Sequence, residues 1–332
     1  MQPITNSHAA RCGLDLGLSR IGFPESSAQV LPTRAGGVMT PCAWLDIGGA
    51  QLASGKDSHD RVAFVTLSGD LVAFSLPMNR DSILFICGEP VRFGQIACHL
   101  PGDRLHERCQ AGAEWVRIYV PAAALRADGG AAVALPCGIL PLRRLTPPMG
   151  RLAGVLDAVR HAMALGGERT GNTVKAEAAA LGLHRALAAC CHDARPARTN
   201  VAARRRHDVM VRFQDYMAFW CERPVHIPDI CAALDVPART LEDYCQAQCG
   251  VSAYRLLRLF RLHQVHQALA AATPSTGSVT AASRRFGFLD LGRFAATYRA
   301  AFDELPSQTL ARTPLDLGRP PVQEMEHSVG MT

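Results

Sequence analysis

Residues 279–310, VTAASRRFGFLDLGRFAATYRAAFDELPSQTL, constrain the fold more than any other stretch. Val279, Ala282, Ser283 and Phe286 recur at three- and four-residue spacing, which marks one face of a helix. Gly287 then admits a left-handed backbone, so this helix can end in a sharp turn. Asp290 is placed to N-cap the next helix, where Leu291, Phe294, Tyr298, Ala301 and Phe302 repeat at helical spacing. Pro306 and Ser307 break the pattern, and Ser307 is placed to cap a further short helix. Helix, tight glycine turn, then a helix carrying Arg293 and Arg299 is how a helix-turn-helix presents a recognition helix to DNA. The same spacing also describes an ordinary αα-hairpin with solvated arginines.

The identity of the turn and face residues goes further. Gly287-Phe288, Gly292-Arg293-Phe294, Tyr298-Arg299 and Glu304-Leu305-Pro306-Ser307 stand in register over more than twenty residues with a known C-terminal signature. The stretch resembles the second helix-turn-helix of the AraC/XylS family of transcription regulators. It departs from the family pattern at Asp303, where Gly usually follows the aromatic, and at Ser283, where Ala is usual. The block from Ala238 to Leu269 resembles the family's first helix-turn-helix with its connecting helix, with Arg239, Leu241, Gly250, Ser252, Arg261-Leu262 and Leu269 on family positions. Here Cys245 replaces the usual Phe and Ala253 the usual Pro. The resemblance implies a bacterial-type regulator, mostly an activator working beside RNA polymerase, whose N-terminal domain binds a small-molecule effector or makes a homodimer.

Charge partitions along the chain. The 332 residues carry 33 Arg but only Lys56 and Lys175, and a net charge of +6. From Arg195 to Arg312 there are 16 Arg against 10 Asp and Glu, so this segment holds the whole excess. A basic C-terminal half beside a neutral N-terminal half suggests a phosphate-rich partner, double-stranded DNA, for the C-terminal half alone. No basic start followed by an apolar run and no long apolar span occurs, so neither a secretory leader nor a membrane segment is expected and the expected location is cytoplasmic. The twelve Cys include no CxxC pair, so no metal is expected. Reduced, buried thiols are the plain reading of these residues, with a redox sensor as the alternative.

Residues 1–40 show no period and read as a lead-in. Between 41 and 192 the chain reads as a β-rich effector or dimerisation domain with packing helices. Val62–Leu67 and Leu71–Leu76 flank Ser68-Gly69-Asp70 and suggest a hairpin. Ser82–Cys87 and Val91–Leu100 continue the strand pattern. In Glu114–Val120, Trp115, Arg117 and Tyr119 share one face and Val116, Ile118 and Val120 the other. Short strands at this spacing favour an antiparallel sandwich or a small, cupin-like barrel. A metal-dependent cupin enzyme needs clustered His and Glu, but His99 and His106 are the only His between Val62 and Leu145, and each reads as a surface or structural residue. No catalytic triad, phosphate loop or carboxylate pair appears, so no catalytic residue, cofactor or metal is assigned. An enzyme domain fused to a DNA-binding domain remains the alternative, as does a regulator controlled by a protein partner without an effector. Leu152, Val155, Leu156, Val159 and Met163 form a helical stripe, a core or dimer seam, and Thr173–Cys191 gives a second helix. Residues 193–206, rich in Pro and Arg, read as a linker whose arginines either touch phosphates or are merely solvated.

The DNA-binding domain is expected at 207–313, with a flexible tail at 314–332. His207–Glu222 has helical spacing in Val211, Phe213, Tyr216, Met217 and Trp220. Pro228 sits in the first turn of the next helix, where its missing N–H costs nothing, and Ile230, Leu234 and Val236 supply packing. Residues 238–247 form the first recognition helix, with Leu241 and Cys245 inward. Residues 252–271 form a connecting helix of roughly 30 Å, close to the ~34 Å between major-groove faces one DNA turn apart. The fold class is therefore α+β: a barrel-like domain followed by an all-α domain of two helix-turn-helix units on a long helix. The expected DNA-facing residues are Arg239, Thr240, Glu242, Asp243 and Gln246 in the first unit, and Asp290, Leu291, Arg293, Thr297 and Arg299 in the second. Carboxylates near phosphates are repelled, although they can accept from cytosine N4. Arg239 and Thr240 should therefore contribute more than Glu242 and Asp243, and Arg293 should be the stronger anchor.

Overall fold

The computed structural model describes residues 26–33, 42–47, 49–67, 69–125, 143–167, 173–192, 201–223 and 225–312. Ser68 of the expected turn, the linker up to residue 200 and the tail beyond residue 312 lie outside them.

The strands are β1 (Ser26–Pro32), β2 (Cys42–Ile47), β3 (Ala50–Lys56), β4 (Arg61–Leu67), β5 (Leu71–Pro77) and β6 (Ile83–Ile86). They continue with β7 (Glu89–Arg92), β8 (Ile96–His99), β9 (Arg104–Cys109), β10 (Glu114–Pro121) and β11 (Arg143–Leu145). They form two antiparallel sheets, one ordered β1-β4-β9-β6-β7 and the other β11-β8-β5-β10-β3-β2. β1 lies within the stretch read as a lead-in; it pairs along its length with β4, from Ser26 opposite Leu67 to Pro32 opposite Arg61.

The expected β4–β5 hairpin is not formed. β4 pairs with β1 and β9, and β5 pairs with β10 and β8, in the other sheet. Both strands are buried along nearly their whole length, so each needs partners on two sides, and the intervening turn carries the chain from one sheet to the other. The two-residue hairpin is β6–β7 instead: Ile86 lies opposite Glu89, leaving Cys87 and Gly88 as the turn. Both have positive φ, 50° and 83°, the requirement of a type I′ turn that matches the twist of its strands.

Alternation along the strands sorts the side chains into layers. Val116, Ile118 and Val120 face α1 (Met149–Gly167) and α2 (Thr173–His192) in one core. Leu152, Val155, Leu156 and Val159 are buried there, so the stripe on α1 is core, while Met163 is exposed. Ala63, Val65, Leu84, Leu105 and Trp115 fill the space between the sheets. Leu31, Val62 and Phe64, on the opposite face of the first sheet, pack against the C-terminal helices.

Between the sheets lies a buried ionic network. Arg61 bonds Asp57 at 2.7 Å and Glu107 at 2.9 Å, and Arg117 pairs with Glu107. The two guanidinium groups each lie 5.6 Å from the Trp115 ring centroid, and the Trp115 indole N–H donates to Asp57 at 3.1 Å. Burial alone would raise the Glu107 carboxyl, but the two arginines overcome it and hold it at about 2.

The C-terminal helices are α3 (Val201–Phe219), α4 (Ile227–Leu234), α5 (Ala238–Cys249), α6 (Ala253–Ala271), α7 (Val279–Arg285), α8 (Leu291–Phe302) and α9 (Pro306–Ala311). α3 begins at Val201, inside the span expected as linker, because residues 201–206 carry no helix breaker and continue the helix below them. α9 starts at Pro306 with Leu305 at its N-cap, so Ser307 is a helix residue and not the cap. The Gln308 carbonyl accepts from the Leu305 N–H at 2.7 Å and supplies the capping contact.

Candidate nucleic-acid interface

Two helix-turn-helix units hang on α6. In the first, Asp235 takes the left-handed conformation at φ 54°, and Val236-Pro237 leads into α5. Leu241 and Cys245 are fully buried against α3, where the Cys245 sulfur lies 3.8 Å from that of Met210. Cys245 is smaller than the Phe it replaces, and Met210 reaches into the same space. Arg239, Asp243 and Gln246, at four- and three-residue steps, form the exposed face opposite, with Thr240 half-buried beside them.

Glu242 is turned away from that face. Its carboxylate accepts from the Ala253 N–H at 2.9 Å, at the first residue of α6. The proline usual at 253 would have no N–H to give, and alanine supplies one that Glu242 satisfies. Ser252 caps the same end, accepting from the Arg255 N–H at 3.2 Å.

In the second unit, Ser278 caps α7, Gly287 turns at φ 85°, and Asp290 caps α8 by accepting from the Arg293 N–H at 2.9 Å. Phe294, Tyr298 and Phe302 pack inward on Leu262, Val265 and Leu269 of α6. Arg293 projects into solvent with its side chain 80% exposed, and Arg299 is exposed as well. At ~100° per residue the two lie roughly 120° apart around α8. Between them stand Gly292, Ala296 and Ala300, all exposed and small enough to let a groove wall approach. Thr297 is engaged: its hydroxyl donates to the Arg293 carbonyl at 2.8 Å and accepts from Arg258 at 2.8 Å. Leu291 is at the border of the buried face, while Leu289, absent from the sequence-derived set, is 80% exposed in the turn. A cleft of about 210 Å³ opens here, lined by Arg258, Arg261, Phe288, Leu289 and Arg293 among others.

The remaining motif residues build the scaffold. Arg261 donates to the Arg223 and Val225 carbonyls at 3.1 and 2.9 Å, tying α6 to the start of the first unit. The Tyr298 hydroxyl meets His266 Nδ1 and Thr309 Oγ1, each at 2.7 Å, and Thr309 donates to Glu304 at 2.7 Å. His266 also stacks on Phe302. Burial, helped by Arg312, lowers His266 to about 4, and burial with His266 nearby lowers His263 to about 3, so both are neutral at pH 7. Asp303 ends α8 in the left-handed region at φ 57°, a conformation that the Gly of the family pattern would adopt without strain.

Among the described residues, the side-chain contacts of the barrel with the C-terminal helices fall on the first unit and the start of α6. From β9, alternate residues Arg104, His106 and Arg108 point across the seam. Arg104 pairs with Asp215 at 2.8 Å and donates to Gln214 at 3.1 Å; His106 meets His207 of α3 with ring centroids 6.0 Å apart; Arg108 lies against Gly250. Arg255 donates to the Thr33 carbonyl. His106, read as surface or structural, is wholly buried, and its basicity falls to about 3 through burial, with His207 and Arg104 adding to it. The sulfur of Cys87 and the ring nitrogens of His106 and His207 lie within 4.8 Å of one another. Chain spacing gives no sign of this trio, because Cys87 in a turn and His106 in a strand meet His207 of a helix about a hundred residues further on.

A pair of helix-turn-helix units on one continuous helix defines a DNA-binding domain of the kind found in transcription regulators. Residues 230–312 match the family described as helix-turn-helix domain. The probable thc operon regulatory protein of Rhodococcus erythropolis is 29% identical over 100 residues, a stretch that is 30% of either chain. A probable AraC family transcriptional regulator from Rhodopseudomonas palustris is 33% identical, over 31% of this chain and 94% of its own, with a TM-score of 0.29. The AraC-like transcriptional activator CuxR is 15% identical, over 73% of this chain and 86% of its own, with a TM-score of 0.34. Through its C-terminal domain the chain belongs to the AraC family of regulators.

Proposed function

We propose that the protein is a cytoplasmic, sequence-specific transcription activator that reads two successive major grooves of promoter DNA and works beside RNA polymerase. The observation that carries this reading is the mounting of both units on one helix: α5 is bonded to the N-terminus of α6 through Glu242, and α8 packs on Leu262, Val265 and Leu269 further along it, a helix whose 19 residues span about 28 Å, close to the ~34 Å of one DNA turn. Arg239, Asp243 and Gln246 on α5 and Arg293 and Arg299 on α8 meet the DNA. Thr240 and Leu291 border these faces, while Glu242, Asp290 and Thr297 hold the recognition helices in position. The basic charge of this half supplies phosphate attraction, and base contacts set the sequence. The described helices include none long and apolar enough to cross a membrane. Exposed Met149, Met163 and Leu181 on α1 and α2 support pairing of two copies through those helices.

The buried network favours control without a charged small molecule. Arg61 and Arg117 are matched by Asp57 and Glu107, so the space between the sheets has no uncompensated charge among these four to attract one. Footprinting on genomic fragments selected by the protein tests the main reading. Two protected patches about one helical turn apart on one face of the duplex are expected. Protection of a single half-site, or of DNA without sequence preference, would refute it.

A further inference from the structure

We propose that Cys87, His106 and His207 form a zinc(II)-binding site that bridges the barrel and the DNA-binding domain. The three donor atoms lie within 4.8 Å of one another. Tetrahedral zinc with bonds of ~2.0–2.3 Å places its ligand atoms roughly 3.3–3.7 Å apart, within reach of small side-chain rotations. The donor set, one thiol and two imidazoles, suits a borderline-soft divalent ion over magnesium or calcium.

The surroundings are those of a site with unmet bonding capacity. His106 is wholly buried, and Gln248 of α5 is the one side chain that bonds it, so two ring nitrogens share one partner. The Nδ1 of His207, also buried, has no hydrogen-bond partner. Polar atoms buried at one seam with unmet bonding capacity carry a desolvation cost unless something binds them. The backbone points the same way: Cys87 holds φ at 50° in a turn position that suits Asn, Asp or Gly better.

The site lies on the outer face of the first sheet, against α3, and not between the sheets, so its role is to fasten the seam and not to host a reaction in the barrel. His207 belongs to the DNA-binding half, and Cys87 and His106 to the barrel. A bound ion would couple the two, whether or not the DNA-binding reading above holds.

The test uses the full chain. Zinc is measured by elemental mass spectrometry after exchange against a competing chelator, and cobalt(II) replaces it to reveal a thiolate-to-metal band. One zinc per chain and that band are expected in the wild type, with an upward shift of the melting temperature on adding zinc. All three should vanish in Cys87→Asn, which suits the left-handed turn and leaves the other eleven cysteines in place. His207→Gln should lose the zinc and the melting shift. Equal zinc in wild type and Cys87→Asn would mark metal held adventitiously by other thiols and overturn the site. So would a wild-type chain that takes up no zinc.

Discussion

Replacing Glu242 separates a base-reading role from a capping role. Its Oε2 accepts from the Ala253 N–H at 2.9 Å, a charge-assisted bond at a helix N-terminus. Such bonds contribute about 1.5–3 kcal/mol when buried, and Glu242 is only half-buried, so Glu242→Ala should cost about 1–2 kcal/mol. Ala253→Pro removes the donor. Ser252, at φ −65° and ψ 154°, already holds the extended conformation that a following proline requires. In the Ala253→Pro background the same Glu242→Ala change should therefore cost close to nothing, a coupling of about 1–2 kcal/mol between positions 242 and 253. The four proteins can be compared by urea unfolding followed by circular dichroism, with sequence preference scored by selection from random duplexes. Equal costs in both backgrounds, or an altered base preference with unchanged stability, would refute the capping account and return Glu242 to the DNA face.

Arg293→Ala should weaken specific promoter binding by about 1–3 kcal/mol, roughly five- to 150-fold, in an electrophoretic shift at fixed salt; unchanged specific affinity would exclude it as an anchor. Glu107→Ala should destabilise the N-terminal domain by about 3–5 kcal/mol, because it strands Arg61 and Arg117 without one of their two buried carboxylates; thermal melting checks it. His263 and His266 bind protons near pH 6.5 when unfolded but only near 3 and 4 when folded, so stability of the C-terminal domain should fall as pH drops from about 6.5 towards 4. The slope approaches ~1.4 kcal/mol per pH unit for each histidine, and His266→Gln should flatten it in urea titrations at stepped pH. Asp303→Gly should stabilise the C-terminal domain by up to about 1 kcal/mol, since glycine accepts φ 57° without strain; a lower urea midpoint would contradict this.

Local rules made the C-terminal half legible. Asp290 caps α8, Gly287 turns, and Leu241, Cys245, Phe294 and Tyr298 point inward, because helix periodicity and caps act over four residues and need no distant partner. β4, β5, β6, β8 and β10 are legible as strands, but β1 falls in the stretch read as a lead-in, and the pairing is not legible. Ser68-Gly69-Asp70 reads as a hairpin turn, yet β4 and β5 belong to different sheets, and only the burial of both strands on all sides betrays it. In β9, His106 reads as a surface or structural residue, and its neighbours carry no reading of their own. In the fold Glu107 faces the interior, while Arg104 and His106 meet another domain. Burial of a polar residue depends on partners far away in sequence: Glu107 is matched by Arg61 and Arg117, and His106 by His207. The place of Glu242 on the first recognition helix suggests a DNA contact, whereas its neighbour in space, residue 253, decides its role.

The two DNA readers are mounted differently, and this bears on how one half of the chain can influence the other. The first unit shares a continuous core with the barrel: Leu31, Val62 and Phe64 pack with Met210, Phe213, Leu241 and Leu256. The second unit has its own core, built from α6, α7, α8 and α9 with Cys221, and among the described residues no barrel side chain enters it. A rearrangement at the seam therefore acts first on α3 and α5. It reaches α8 only through α6, whose N-terminus is fastened by Glu242 and Ser252 and whose middle is tied by Arg258 to Thr297. Because packed cores shift as bodies and do not deform smoothly, such a rearrangement changes the angle between the two recognition helices more than the shape of either. Spacing between half-sites, more than base identity within each, is the property of the DNA that the state of the seam would select.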